Sequence, residues 1–137
     1  MLRDLYSNYK PMPAFGPVAR PAGAGIAVDL GVHEAALFVF QSGAMGAVAA
    51  TYTWKLTECD TSGGSYTDVA AADMIGGVAS VVFDQAVGGD ANAVKKLGYV
   101  GKKRFLKVFC TESTAGTPTS IVGATAILGH PRHMPVS

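Results

Sequence analysis

The chain has 137 residues, with 11 basic and 10 acidic side chains for a net charge of +1; it is 49% hydrophobic and only 15% charged. That length supports one core rather than two, the apolar content excludes a disordered chain, and the balanced charge gives no field to recruit nucleic acid or an anionic membrane. No run reaches the ~18 consecutive apolar residues of a membrane helix. The start, Met1 to Tyr9, lacks the basic-then-apolar pattern of a secretory signal, so synthesis in the cytoplasm is expected.

Residues 1–25 stand apart. Pro11, Pro13, Pro17 and Pro21, four of the seven prolines, fall here between Gly16, Gly23 and Gly25. Proline lacks a backbone donor and fixes φ, which bars it from interior strands and helices. The segment is therefore expected to be an extended arm, removable without loss of the fold. Its apolar groups Leu5, Tyr6, Tyr9, Met12 and Phe15 are candidate contacts to another subunit or to a larger shell.

Residues 26–137 read as the folded domain. Ile26–Leu30 is a short strand. Ala35–Gln41 is apolar on both alternating faces, as in a buried central strand. Residues 47–57 alternate, with Tyr52, Trp54 and Leu56 on one face and Thr51, Thr53, Lys55 and Thr57 on the other. The loop Asp60-Thr61-Ser62-Gly63-Gly64-Ser65 turns the chain, and Tyr66–Val69 returns. A helical turn is expected within 70–77, a strand over 79–83, and a loop at Gly88–Asn92. Residues 103–111 and 119–128 form two long strands around the Ser113–Pro118 turn. Seven or eight short strands with no sustained 3.6 period predict an all-β, antiparallel β-sandwich, with a jelly roll and a closed barrel both open as its form.

Few residues propose chemistry. His130 and His133 have a metal-compatible spacing, but the tail around them offers no Asp, Glu or Cys as a third ligand. The serines sit in turns, without a nucleophile elbow. Gly63-Gly64 and Gly88-Gly89 lack the helix that a phosphate loop needs. No catalytic residue, metal or cofactor is expected. Cys59 and Cys110 read as two reduced thiols.

One charge feature does emerge. Lys95, Lys96, Lys102, Lys103, Arg104 and Lys107 hold six of the eleven basic residues, with Tyr99, Phe105 and Phe109 interleaved. This mix suits a nucleic-acid surface. It equally suits an exposed strand whose cations point to water while its phenylalanines point inward, and that reading is preferred. The six cations are candidate electrostatic contacts.

The blocks Leu97-Gly98-Tyr99-Val100-Gly101-Lys102-Lys103-Arg104-Phe105-Leu106-Lys107-Val108 and Gly129-His130-Pro131-Arg132-His133-Met134-Pro135, with Trp54–Asp60 leading into Gly64–Val69, carry a resemblance. Over residues 26–136 the chain resembles small structural proteins encoded among the head genes of tailed bacteriophages and prophages. The resemblance implies a non-enzymatic virion protein, most simply a decoration or cement protein on the head. Its partners would be copies of itself, as a small symmetric oligomer such as a trimer, and the major capsid protein or other virion proteins. The sparse surface charge fits permanent apolar contacts. The alternative is a carbohydrate- or receptor-binding β-sandwich of a tail, neck or fibre, whose mark would be exposed aromatics. Trp54, alternating with Tyr52 and Leu56, reads as core instead.

Overall fold

A computed structural model describes residues 8–19, 21–46, 49–85, 89–114 and 121–131. Ten strands are seen among them: β1 (Lys10–Ala19), β2 (Gly23–Ala24), β3 (Val28–Asp29), β4 (His33–Ser42), β5 (Ala50–Cys59), β6 (Thr67–Asp68), β7 (Ser80–Asp84), β8 (Val94–Tyr99), β9 (Phe105–Thr114) and β10 (Ile121–Pro131). The helical content is two single turns, Ala71–Asp73 and Ile75–Gly77. All strand pairings are antiparallel. The fold is the all-β sandwich that the alternating pattern predicts.

The first sheet has the order β1-β10-β4-β8. The second is built on the β5–β9 ladder, with β2 and β3 along the free edge of β9 and β6 and β7 along the free edge of β5. Because side chains alternate across a strand, each long strand sends every second residue inward. Phe38 and Phe40 of β4, Leu97 and Tyr99 of β8, and Val122, Ala126 and Leu128 of β10 come from the first sheet. They meet Tyr52, Trp54 and Leu56 of β5, Phe83 of β7, and Leu106, Val108 and Cys110 of β9. All of these are buried, so the expected inward face of β5 is the observed one.

The proline-rich segment departs from its expected role. Lys10–Ala19 is a strand of the sandwich itself, paired with β10 from Lys10↔Leu128 to Ala19↔Ile121. The proline argument holds, but its consequence is an edge strand rather than a detached arm. An edge strand needs donors on one side only, and Pro11, Pro13 and Pro17 are tolerated there. They also blunt an edge that could otherwise pair with another chain. The register slips between Pro13 and Phe15, and this bulge sets Phe15 on the inward side beside Ala14, which is fully buried.

Phe15 packs edge-on against Trp54, with ring centroids 4.9 Å apart and planes at 88°. The next corner is locked by Ile26 N–H donating to the Ala14 carbonyl at 2.8 Å and Gly25 N–H to the Val108 carbonyl at 2.8 Å. Only glycine fits at 25: a Cβ there would sit 2.2 Å from the Ala14 oxygen and 2.7 Å from Val108 Cγ2.

Smaller differences concern boundaries. The strand expected over 26–30 pairs only at Val28–Asp29. Residues 94–99 form a strand that the sequence reading treated as part of a charge cluster, whereas Lys102, Lys103 and Arg104 lie in the β8–β9 loop rather than on a strand.

Candidate interaction surfaces

Of the proposed arm contacts, Leu5 and Tyr6 lie outside the described residues. Met12 and Phe15 are half-buried against the chain's own core, so they are intramolecular contacts rather than free contacts for a partner. Tyr9 is exposed but leans over Gly129, where a Cβ would approach its ring to 3.2 Å.

The six cations do not converge on one gripping surface. Lys95 pairs with Asp90 at 2.7 Å and stands 5.0 Å from the Phe83 ring centroid. Lys103 pairs with Asp60 at 2.5 Å. Arg104 makes two bonds to Asp29, Nε to Oδ1 at 2.8 Å and Nη2 to Oδ2 at 2.9 Å. Lys107 sits 4.2 Å from the Tyr66 ring centroid. Lys96 and Lys102 are exposed. Three of the six are thus paired with carboxylates of the same chain, Lys103 and Arg104 with partners far away in sequence.

The expected inward pointing of Phe105 and Phe109 is also corrected. Leu106, Val108 and Cys110 are the buried residues of β9. The period of two therefore puts Phe105, Lys107 and Phe109 together on the outer face. Each aromatic there has its own cation: Arg104 at 5.1 Å from Phe105, Lys55 at 5.4 Å from Phe109, and Lys107 on Tyr66. Lys55 also pairs with Asp68 at 2.7 Å. The outer face of the second sheet is a mixed, self-satisfied surface.

The outer face of the first sheet is different. Register places three rows across it: Gly98, Leu37, Ile127 and Pro11; then Lys96, Val39, Thr125 and Pro13; then Val94, Gln41 and Gly123. Lys96 is the single charge among these positions, and it stands on the edge strand β8. Ile75, 60% exposed, folds over Gly98, and Val94 is 62% exposed. Pro17 lies against Gly123. A groove of about 330 Å³ runs beside Val39, Gly123 and Ile121. The sequence carried a signal for this face, since β4 is apolar at alternate positions on both sides. Its outward residues Leu37 and Val39 are only half-buried, so burial within the chain does not explain them.

Other polar groups serve the framework. Tyr99 Oη donates to Glu58 at 2.7 Å and accepts from Lys103 N–H at 2.9 Å, which anchors the β8–β9 loop. Burial, reinforced by the Glu58 carboxylate, pushes its phenol well above the usual range. Ser42 is buried and donates to the Asp90 carbonyl while accepting from Ala93 N–H at 2.9 Å.

His33 is buried and bonded through Nδ1 to the Leu30 carbonyl at 2.9 Å; a carbonyl only accepts, so Nδ1 carries the proton. The His130 imidazole and His133 lie outside what is described. Among the described residues no three His, Cys, Asp or Glu group to hold a metal. Cys59 and Cys110 are free. They oppose Phe105 and Trp54 on the β5–β9 ladder, five positions apart, or about 17 Å at strand rise, far beyond disulfide reach. Burial, with Glu112 adding to it, pushes the Cys110 thiol up to about 12.

Two carboxylates carry a pH consequence. The Arg104 hydrogen bonds lower Asp29, and the Lys95 bond lowers Asp90. A carboxylate with a depressed folded-state pKa stabilises above its unfolded value and loses that contribution as pH falls through the folded one. The melting temperature is therefore expected to be level in this respect down to about pH 4 and to fall below it. Asp29→Asn should make the acid fall shallower. An identical acid limb in that variant would show that the Asp29–Arg104 pair contributes nothing.

No protein-family model matches this chain, and no curated protein matches it.

Proposed function

We propose that this chain is a non-enzymatic structural subunit of a tailed-bacteriophage virion, a decoration protein held on the head shell as a homo-oligomer. The observation that carries the reading is the contrast between the two sheet faces. One is mixed, with its charges and rings engaged within the chain; the other is broad and apolar, with Lys96 on its edge strand as the one charge among its described positions. Monomeric proteins rarely expose contiguous apolar patches beyond a few hundred Å², and permanent subunit contacts are made of such surface.

The strand order lends further support. Rows β1-β10-β4-β8 face rows β2/β3-β9-β5-β6/β7, and the chain crosses between sheets at every connection between rows except the one after β5. That order supports reading the sandwich as a jelly roll, an architecture used by viral capsid and lectin domains. The charged groups also fit a framework role, because Asp29, Asp60, Asp68 and Asp90 each hold a lysine or arginine. The carbohydrate-platform alternative finds less support, since Trp54 is wholly buried and the outward rings Tyr66, Phe105 and Phe109 of the second sheet are already occupied by the chain's own cations.

The test is sedimentation of particles from cells expressing the phage genes that include this chain, at low and roughly tenfold higher ionic strength. Apolar burial is insensitive to such a change, while exposed ion pairs are screened. The chain is expected to travel with the particles at both. Its absence from particles at low salt overturns the proposal; loss only at high salt overturns apolar packing as the mode of attachment.

A further inference from the structure

We infer that the partner of the apolar sheet face is a second copy of this chain, docked sheet against sheet about a two-fold axis. The inference rests on the oligomeric part of the reading above and adds the face and the symmetry.

Four observations carry it. The first is that the described surface offers one such face. A ring, a trimer included, joins two different patches of each subunit, whereas a two-fold pair joins one patch to itself. The outer face of the second sheet, with Asp29, Lys55, Asp68 and Lys107 engaged at home, does not supply the complementary apolar patch.

The second is charge. A two-fold axis sets residues near it against their own copies, so any central charge would repel itself. The central positions Leu37, Val39, Thr125 and Ile127 have none, and Lys96 lies on an edge strand.

Relief is the third. Gly123 lies in a groove of about 330 Å³ beside Val39 and Thr125, while the larger Leu37 and Ile127 stand two rows away on the same face, so a rotated copy can set those side chains into the groove.

Size is the fourth. Four rows at ~4.8 Å by about ten residues at ~3.3 Å project to roughly 600 Å². Exposed Tyr9, Ile75, Val94 and Ile121 at the rim extend this toward the ~800 Å² per partner of a standard stable interface. Pairing through the face rather than the edge also follows from β1, whose prolines deny a strand partner the donors it would need.

The experiment is sedimentation equilibrium of the purified full chain from about 1 to 100 µM, a range that reads micromolar dissociation constants. The wild type is expected to be a dimer. Thr125→Glu, at an exposed position, places two like charges across the axis and should raise the dissociation constant about a hundredfold. Thr53→Glu, on the outer face of the second sheet, should leave it unchanged. Circular dichroism confirms that each variant keeps the wild-type β spectrum. Val39→Lys is the second probe of the same face and should also give monomers.

A monomer at every concentration overturns the inference and leaves the face to a foreign partner. A trimer overturns the two-fold, and a dimer untouched by both Thr125→Glu and Val39→Lys overturns the face. The virion reading is judged separately by particle sedimentation: a monomeric chain that still travels with particles sinks only the pairing, and a dimer that does not sinks only the virion role.

Discussion

Deleting residues 1–22 should strongly destabilise the sandwich rather than trim a passive tail. The deletion removes β1, strips the outer edge of β10 along a ladder running from Lys10 to Ala19, and takes Ala14, Met12 and Phe15 from the core. Burying a large apolar side chain contributes ~1.5–3 kcal/mol. Met12 and Phe15 are half-buried, so together they supply half of two such contributions, ~1.5–3 kcal/mol. The vacated space beside Trp54 and the unpaired β10 edge add to that cost. Against a typical total of ~5–15 kcal/mol, a loss of this size lowers the melting temperature by at least ~10 °C. The truncated chain should also aggregate, because β10 becomes an uncovered edge with apolar residues on both faces. Thermal melts by circular dichroism check this. A truncated chain that melts within a few degrees of the full one would restore the detached arm expected from proline content.

Why that strand was not legible is instructive. Proline at 11, 13 and 17 correctly excludes an interior strand, but the same chemistry permits an edge, and composition alone does not separate the two. The bulge that sets Phe15 inward beside Ala14 breaks the alternation that would have marked the segment. The strand β8 was hidden for another reason: Val94-Lys95-Lys96-Leu97-Gly98-Tyr99 has adjacent lysines, and Lys95 reaches an inward row only by pairing with Asp90 at its margin.

By contrast, β5 was legible because Tyr52, Trp54 and Leu56 alternate strictly with threonine and lysine. The facing of β9 was equally available, since positions 105, 107 and 109 share a side by parity. The surface was the hard part. The Asp29–Arg104 pair joins positions 75 residues apart, and no local pattern announces that a basic cluster is neutralised from a distance. The apolar outer face of the first sheet depends on which strands neighbour β4. That was beyond reach from the sequence, although the two-sided apolar character of β4 was visible.

Trp54→Ala should be the most damaging single substitution in the core. Trp54 is wholly buried, lies between Phe15 at 4.9 Å and Phe40 at 5.3 Å, and sits on β5 between Val81 of β7 and Cys110 of β9. It therefore joins both sheets and the edge strand. Truncating a buried aromatic to alanine costs ~3–5 kcal/mol, part lost transfer energy and part residual cavity. Trp54→Phe separates packing from polarity. The indole Nε1 is buried with no hydrogen-bond partner among the described residues, and an unsatisfied buried donor costs ~1–3 kcal/mol. Phenylalanine removes that cost while losing some volume, so it should fall within about 1–2 kcal/mol of wild type. Urea unfolding, with the slope m checked for constancy, measures both. The consequence reaches the surface, because Val39 projects outward from beside Phe40, whose ring Trp54 helps to fix. Trp54→Ala should accordingly weaken self-association at temperatures where the variant is still folded, while Trp54→Phe should leave it near wild type. If alanine costs less than about 1 kcal/mol, the packing of Phe15 and Phe40 around this ring is not what holds the two sheets together.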